Sequence, residues 1–140
     1  MVLLTHGEFS KGICQSASLI LGDVSSIKTI SITLKDDISF VKEELNETVN
    51  SFNNDKPVVI LTDIPGGSTT RVALQYLMEK ENVYVITGLN LGLLLELALL
   101  DLKKDCLDDL KQVILNARNS IDLLNNQVCT DNIEFDDDEL

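Results

Sequence analysis

The chain has 140 residues, enough for one ordinary domain with a core that needs neither disulfides nor a metal. Its hydrophobic content of 44% with scattered charge excludes a disordered chain, and its net charge of −12 argues against a nucleic-acid partner, since phosphate backbones demand the opposite sign. Half of that negative excess lies in the last ten residues, where Asp131, Glu134, Asp136, Asp137, Asp138 and Glu139 stand with no base among them and read as a solvated tail.

Val2 to Thr5 reads as a short apolar strand, with the only histidine, His6, at its tip. Gly7 then lets the backbone turn sharply without a Cβ clash. Phe9, Ile13, Ala17 and Ile20 follow at spacings of 4, 4 and 3, one face of a helix from about Glu8 to Leu21, with Gly22 placed to end it. Met1-Val2-Leu3-Leu4 has no basic start and no long apolar run, so no signal peptide is expected.

Ile27, Ile30 and Ile32 with Thr29 and Thr33 form a β-branched strand. Asp36 or Asp37 can cap a second helix through Ile38, Val41, Leu45, Val49 and Phe52, and Asn53 to Lys56 reads as a polar turn. Pro57 to Thr62 is continuously apolar, as expected of a strand covered on both faces, and Asp63 stands at its end. Ile64-Pro65-Gly66-Gly67-Ser68 is a loop before a helix marked by Val72, Ala73, Tyr76 and Leu77. A fourth strand runs from Asn82 to Thr87, and Asn90 can cap an apolar helix from Leu91 to Leu100. That apolar stretch is too short to span a bilayer. A last helix is expected over about Asp105 to Leu124, with Leu107, Leu110, Ile114, Ala117, Ile121 and Leu124 as its apolar seam.

Strands alternating with helices predict an α/β fold with an open, doubly wound parallel sheet of four main strands in the order 2-1-3-4, helices on both faces. Residues 1–125 form the domain, and residues 126–140 form the acidic C-terminal tail, in which Ile133-Glu134-Phe135 alternates as an extra edge strand would. In this arrangement strands one and three lie side by side, and their carboxyl ends frame the crevice where such folds bind ligands. His6 and Asp63, 57 positions apart, would then meet there.

Together the two residues suit phosphoryl transfer. A carboxylate accepting from one ring nitrogen fixes the imidazole tautomer, leaves the other nitrogen free to attack, and stabilises charge that develops on the ring. Gly66, Gly67 and Ser68 can offer backbone N–H groups and a hydroxyl to a tetrahedral anion, and Thr5 lies beside the same strand end. Each signal has a plainer reading: a lone histidine on the surface, an Asp that caps a turn, a Gly-Gly-Ser that starts a helix. There is no GxxxxGK[ST] loop, and no cofactor or metal is called for. Cys14, Cys106 and Cys129 form no CxxC pair and fit a reducing compartment.

Three stretches carry a family resemblance: Thr5-His6-Gly7-Glu8-Phe9 with Gly12, Thr62-Asp63-Ile64-Pro65-Gly66-Gly67-Ser68, and Gly88-Leu89-Asn90-Leu91 with Leu94 and Glu96. In the same order over roughly residues 1–125, they resemble the IIA component of the mannose-type (mannose/fructose/sorbose) family of the bacterial phosphoenolpyruvate-dependent sugar phosphotransferase system. The resemblance implies that His6 accepts phosphate from the carrier protein HPr and passes it to a IIB component. It also implies that Asp63 holds the ring and that the Gly66 to Ser68 loop lies at the active centre. A cytosolic homodimer, related only indirectly to membrane IIC and IID components, is implied as well. Thr69 stands where relatives commonly have proline and Gly92 where proline often follows the Asn turn, which bears on loop rigidity. Two other readings compete: a receiver-like domain phosphorylated on Asp63, which lacks the acidic pair such a site needs after strand one, and a non-catalytic interaction module resting on the leucine seam and the tail.

Overall fold

The computed structural model describes residues 1–52 and 56–126; all of the expected Asn53 to Lys56 turn but Lys56, together with Cys129 and residues 127–140 of the acidic tail with its edge strand, lie outside the described residues. Four strands, β1 (Val2–His6), β2 (Lys28–Ile32), β3 (Val58–Thr62) and β4 (Val83–Thr87), form one parallel sheet in the order β2-β1-β3-β4. The helices between and after them are α1 (Phe9–Leu21), α2 (Ile38–Asn50), α3 (Ser68–Leu77), α4 (Leu91–Leu99) and α5 (Leu107–Asn119). This is the expected α/β sheet with the expected strand order.

Both faces of the sheet are covered, which explains why the central strands read as unbroken apolar runs. Strand side chains alternate between faces. Leu3, Val59, Leu61 and Ile86 meet Ile13 and Ala17 of α1, Leu93, Leu94 and Leu97 of α4, and Leu110, Val113 and Ala117 of α5. Val2, Leu4, Ile30, Val58, Ile60 and Val83 meet Val41, Leu45 and Val49 of α2 and Val72, Ala73 and Tyr76 of α3.

Local chemistry sets the helix ends. Between the two candidate caps of α2 the structure selects Asp37, whose carboxylate accepts from the Ser39 N–H at 3.0 Å, while Asp36 accepts from the Thr33 N–H. Asn90 caps α4 by accepting from the Leu93 N–H at 3.0 Å. Gly22 closes α1 at φ 79°, in the region a Cβ disfavours.

The last helix departs from its expectation. It ends at Asn119 with Ser120 as its cap, and a single 3-10 turn follows at Leu124–Asn126. The face packed inward runs through Leu110, Val113 and Ala117, whereas Leu107, Ile121 and Leu124 are exposed. Leucine spacing alone overextended the seam because Asn119 and Ser120 favour capping and turns over continuing a helix.

Candidate active site

Register brings the two strand ends together. Leu4 of β1 pairs with Thr62 of β3, so His6, two residues beyond Leu4, and Asp63, one beyond Thr62, emerge side by side at the carboxyl edge of the sheet. Strand alternation also decides where each side chain goes. Val2 and Leu4 face α2 and α3, and His6, next in that period, aims at the start of α3. Leu3 faces α1, and Thr5 follows it: its buried hydroxyl accepts from the Ser10 N–H at 2.9 Å and satisfies the first turn of α1. Thr5 is therefore the one residue of the expected phosphate cradle whose side chain is turned away from the cleft. It shapes the site by holding α1. Gly7, at φ 56°, donates its N–H to Ile32 at 2.8 Å and turns the chain from β1 into that helix.

Asp63 grips His6 twice. Its Oδ2 accepts from the His6 backbone N–H at 2.9 Å and lies 2.9 Å from His6 Nδ1, while Oδ1 lies 3.1 Å from the same nitrogen. Oδ1 also accepts from the Ile64 N–H and from the Thr69 hydroxyl, both at 3.0 Å. Burial alone would raise the Asp63 carboxyl. The donors from His6, backbone and ring, and from Thr69 outweigh it and hold the group below its ordinary value, so it is an anion at neutral pH. An anionic carboxylate facing Nδ1 assigns the ring proton to Nδ1.

Nε2 is left with its lone pair outward. It accepts from Ser68 Oγ at 2.9 Å, and Ser68 is the first residue of α3, where the leading backbone N–H groups have no partner within the helix. The His6 side chain is 43% exposed and that of Asp63 is 10% exposed, so the imidazole can be reached from outside while its orienting partner is sheltered. Gly67 lies against the ring: a Cβ there would come within 3.2 Å of His6 Cε1 and 3.3 Å of the Ile64 carbonyl oxygen. Gly66 makes the turn before it at φ 77°.

The structure thus brings His6, Asp63, Gly66, Gly67 and Ser68 into one cluster. It adds two residues that pattern reasoning passed over. Thr69 bonds Asp63, and the Thr70 hydroxyl donates to the Ile64 carbonyl at 2.8 Å and lies 2.8 Å from Thr62 Oγ1, which ties the loop to β3. The only signal in the sequence was a Thr-Thr pair in the first turn of a helix, which is also a common way to start one.

An imidazole oriented by a carboxylate beside a helix N-terminus, on a parallel sheet of order 2-1-3-4, defines the class: an open α/β protein with a histidine at the carboxyl edge of its sheet. The family described as the PTS system fructose IIA component matches residues 1–114, and the chain belongs to that family. The fructose-specific EIIA component of Bacillus subtilis (strain 168) is 24% identical over 139 residues, covering 96% of this chain and 88% of that one. The mannose-specific EIIAB component of Escherichia coli (strain K12) is 27% identical over 96 residues, 69% of this chain but only 30% of its own length. Among solved structures, the PTS IIA protein associated with the fucose utilization operon of Streptococcus pneumoniae superposes with a TM-score of 0.80 at 26% identity, covering 91% of this chain and 93% of that one. Among the described residues, no helix is long and apolar enough to cross a membrane.

Proposed function

We propose that this chain is a phosphohistidine carrier of a sugar phosphotransferase system, taking a phosphoryl group from HPr onto His6 Nε2 and passing it to a IIB component for sugar uptake and phosphorylation. One observation carries the reading: Asp63 holds Nδ1 while Nε2 of a part-exposed ring faces the start of α3, bonded there only to the Ser68 hydroxyl among the described residues. Family membership supports it, and the EIIAB relatives, which join an A and a B part by name, support the IIB component as the acceptor.

In the forward step the Nε2 lone pair attacks phosphorus, and the donor's bond to phosphorus breaks with its electron pair leaving on the donor. Nδ1 keeps its proton, and Asp63 balances the positive charge that the ring acquires. Ser68 Oγ, released from Nε2, turns its hydrogen to a phosphoryl oxygen, and the first amides of α3 receive the others. Transfer to IIB is the same step reversed, with the P–N bond electrons returning to Nε2. No metal or cofactor enters, since phosphoryl transfer of this kind needs positioning and charge stabilisation from the protein.

The carrier works in the cytosol, as a homodimer, through residues 1–125; the acidic tail of residues 126–140 takes no part in the chemistry. Membrane IIC and IID components are met only through IIB. The relatives' names differ in the sugar, so none is assigned. The receiver-like alternative is disfavoured because both oxygens of Asp63 already accept from His6, and Oδ1 from Ile64 and Thr69 as well, which suits an orienting group better than a nucleophile.

Incubation with radiolabelled phospho-HPr tests the assignment. The expected product carries acid-labile, alkali-stable phosphate that maps to His6. An acyl phosphate on Asp63, or no incorporation by the folded protein, would overturn it.

A further inference from the structure

One side chain at the site has no part in the chemistry just described. Thr69 is fully buried on the first turn of α3, and its hydroxyl donates to Asp63 Oδ1 at 3.0 Å. A buried hydroxyl requires an acceptor, and this one has taken the catalytic carboxylate over any neighbouring carbonyl. Asp63 therefore divides its charge among the His6 ring, two backbone N–H groups, those of His6 and Ile64, and Thr69. The backbone donors are set by the fold. Thr69 is the one donor besides the ring that a substitution can remove.

We propose that Thr69 is a positioning residue that moderates the hold of Asp63 on the imidazole and so keeps His6 able to release a phosphoryl group as readily as it captures one. The physical argument concerns the ring's charge. Both the protonated and the phosphorylated imidazole carry positive charge that Asp63 stabilises, and a carboxylate that gives part of its negative charge to a hydroxyl stabilises it less. Without the hydroxyl, Asp63 would act more strongly on the ring. Nε2 would become more basic, and phosphate on it would be held longer.

The charged groups on the neighbouring elements have other surroundings. Glu8 and Lys11 of α1 pair with each other at 2.9 Å, Asp36 after β2 is bonded by the Thr33 N–H, and Arg71 of α3 is exposed to solvent. Among the described residues, the charged side chain in hydrogen-bond contact with the ring is that of Asp63.

The inference rests on His6 being the phosphorylated residue, yet its principal test does not use phosphate. Because the chain has one histidine, an NMR pH titration of the unphosphorylated protein reports His6 alone. Thr69→Val and Thr69→Ala remove the hydroxyl, and Thr69→Ser keeps it. The expected result is a His6 pKa raised by about half a pH unit or more in Val and Ala, with Ser within about 0.2 of the parent. Phosphate already on His6 should then persist longer in the Val and Ala proteins. Folded Val and Ala proteins that titrate like the parent, or a Ser protein that shifts with them, would overturn the proposal. Failure of HPr to label His6 would overturn the carrier function while leaving the titration result standing.

Discussion

The two ends of the sheet pose opposite problems. At the amino end, Met1, Phe52, Pro57, Val58, Leu97, Leu100 and Leu102 line a mostly apolar cavity of about 290 Å³, with the Lys56–Asp101 ion pair at 3.3 Å among its lining residues. At the carboxyl end a hollow of about 600 Å³ lies between the starts of α1 and α4, lined by Phe9, Gly12, Ile13, Leu89 and Asn90, and the polar atoms of the site are matched to one another: His6 to Asp63 and Ser68, Asp63 to Ile64 and Thr69, Thr70 to Ile64 and Thr62. The apolar amino-end cavity lies where strands begin and helices end, and its lining is arranged for packing. The site lies where strands end and helices begin, because that end presents side chains and unpaired amides together. Neither cavity is lined by His6 or Asp63, so hydrogen-bond organisation is the better guide to chemistry in this fold.

Removing the nucleophile should separate the ends most completely. His6→Ala is expected to abolish incorporation of phosphate from phospho-HPr, with the thermal midpoint nearly unchanged because the ring is 43% exposed. Phosphate found elsewhere on the folded variant would show that the carboxyl end works through another residue. Asp63→Asn should come next, with transfer slowed on the order of 10²-fold or more, since a neutral amide neither fixes the tautomer nor balances ring charge. Single-turnover transfer at saturating phospho-HPr measures it. A rate within about twofold of the parent would remove Asp63 from the mechanism.

The reverse experiment perturbs the amino end. Leu97 is 1% exposed and lines the cavity there, so Leu97→Ala should destabilise the fold by about 2 to 4 kcal/mol. Denaturant unfolding reads that loss, while transfer per folded molecule should stay at the parent's rate.

Between these extremes lies Gly67→Ala. The new Cβ meets the imidazole at 3.2 Å and the Ile64 carbonyl at 3.3 Å, a small overlap that a shift of the part-exposed ring relieves at the cost of its alignment. Transfer slowed about tenfold is expected, with little change in stability. A parent-like rate would mean that the ring needs no close backbone beneath it.

The contrast also explains which features were legible in the sequence. β1 and β3 were readable as apolar runs closed by a polar residue, and from alternating strands and helices the strand order followed, so the meeting of His6 and Asp63 could be anticipated across 57 positions. Thr5 could have been placed by alternation alone: it shares a face with Leu3 and so points to α1, not to the cleft. The roles of Thr69 and Thr70 were not legible, because a hydroxyl in a helix's first turn has several equivalent acceptors and only tertiary packing chooses among them. The end of α5 was misread for a related reason. Leucines at regular spacing mark a helix face, but they do not say which of them a neighbouring element covers.

The smallest effect expected is on stability against pH, and its sign follows from Asp63. In the folded chain the carboxyl is held below its ordinary value, so the unfolded chain binds the proton more readily. Asp63 therefore contributes stability that is complete above the unfolded carboxylate value near pH 3.9 and is lost as pH falls through the lower folded value. In Asp63→Asn that contribution is absent at every pH. Parent and variant should then differ most in unfolding free energy near neutrality and converge in acid, with the difference shrinking below about pH 4. Urea unfolding of both proteins between about pH 3 and pH 7 checks this. Curves that stay parallel across that range would mean that the donors around Asp63 orient the ring without adding net stability to the fold, leaving the carboxyl end organised for chemistry alone.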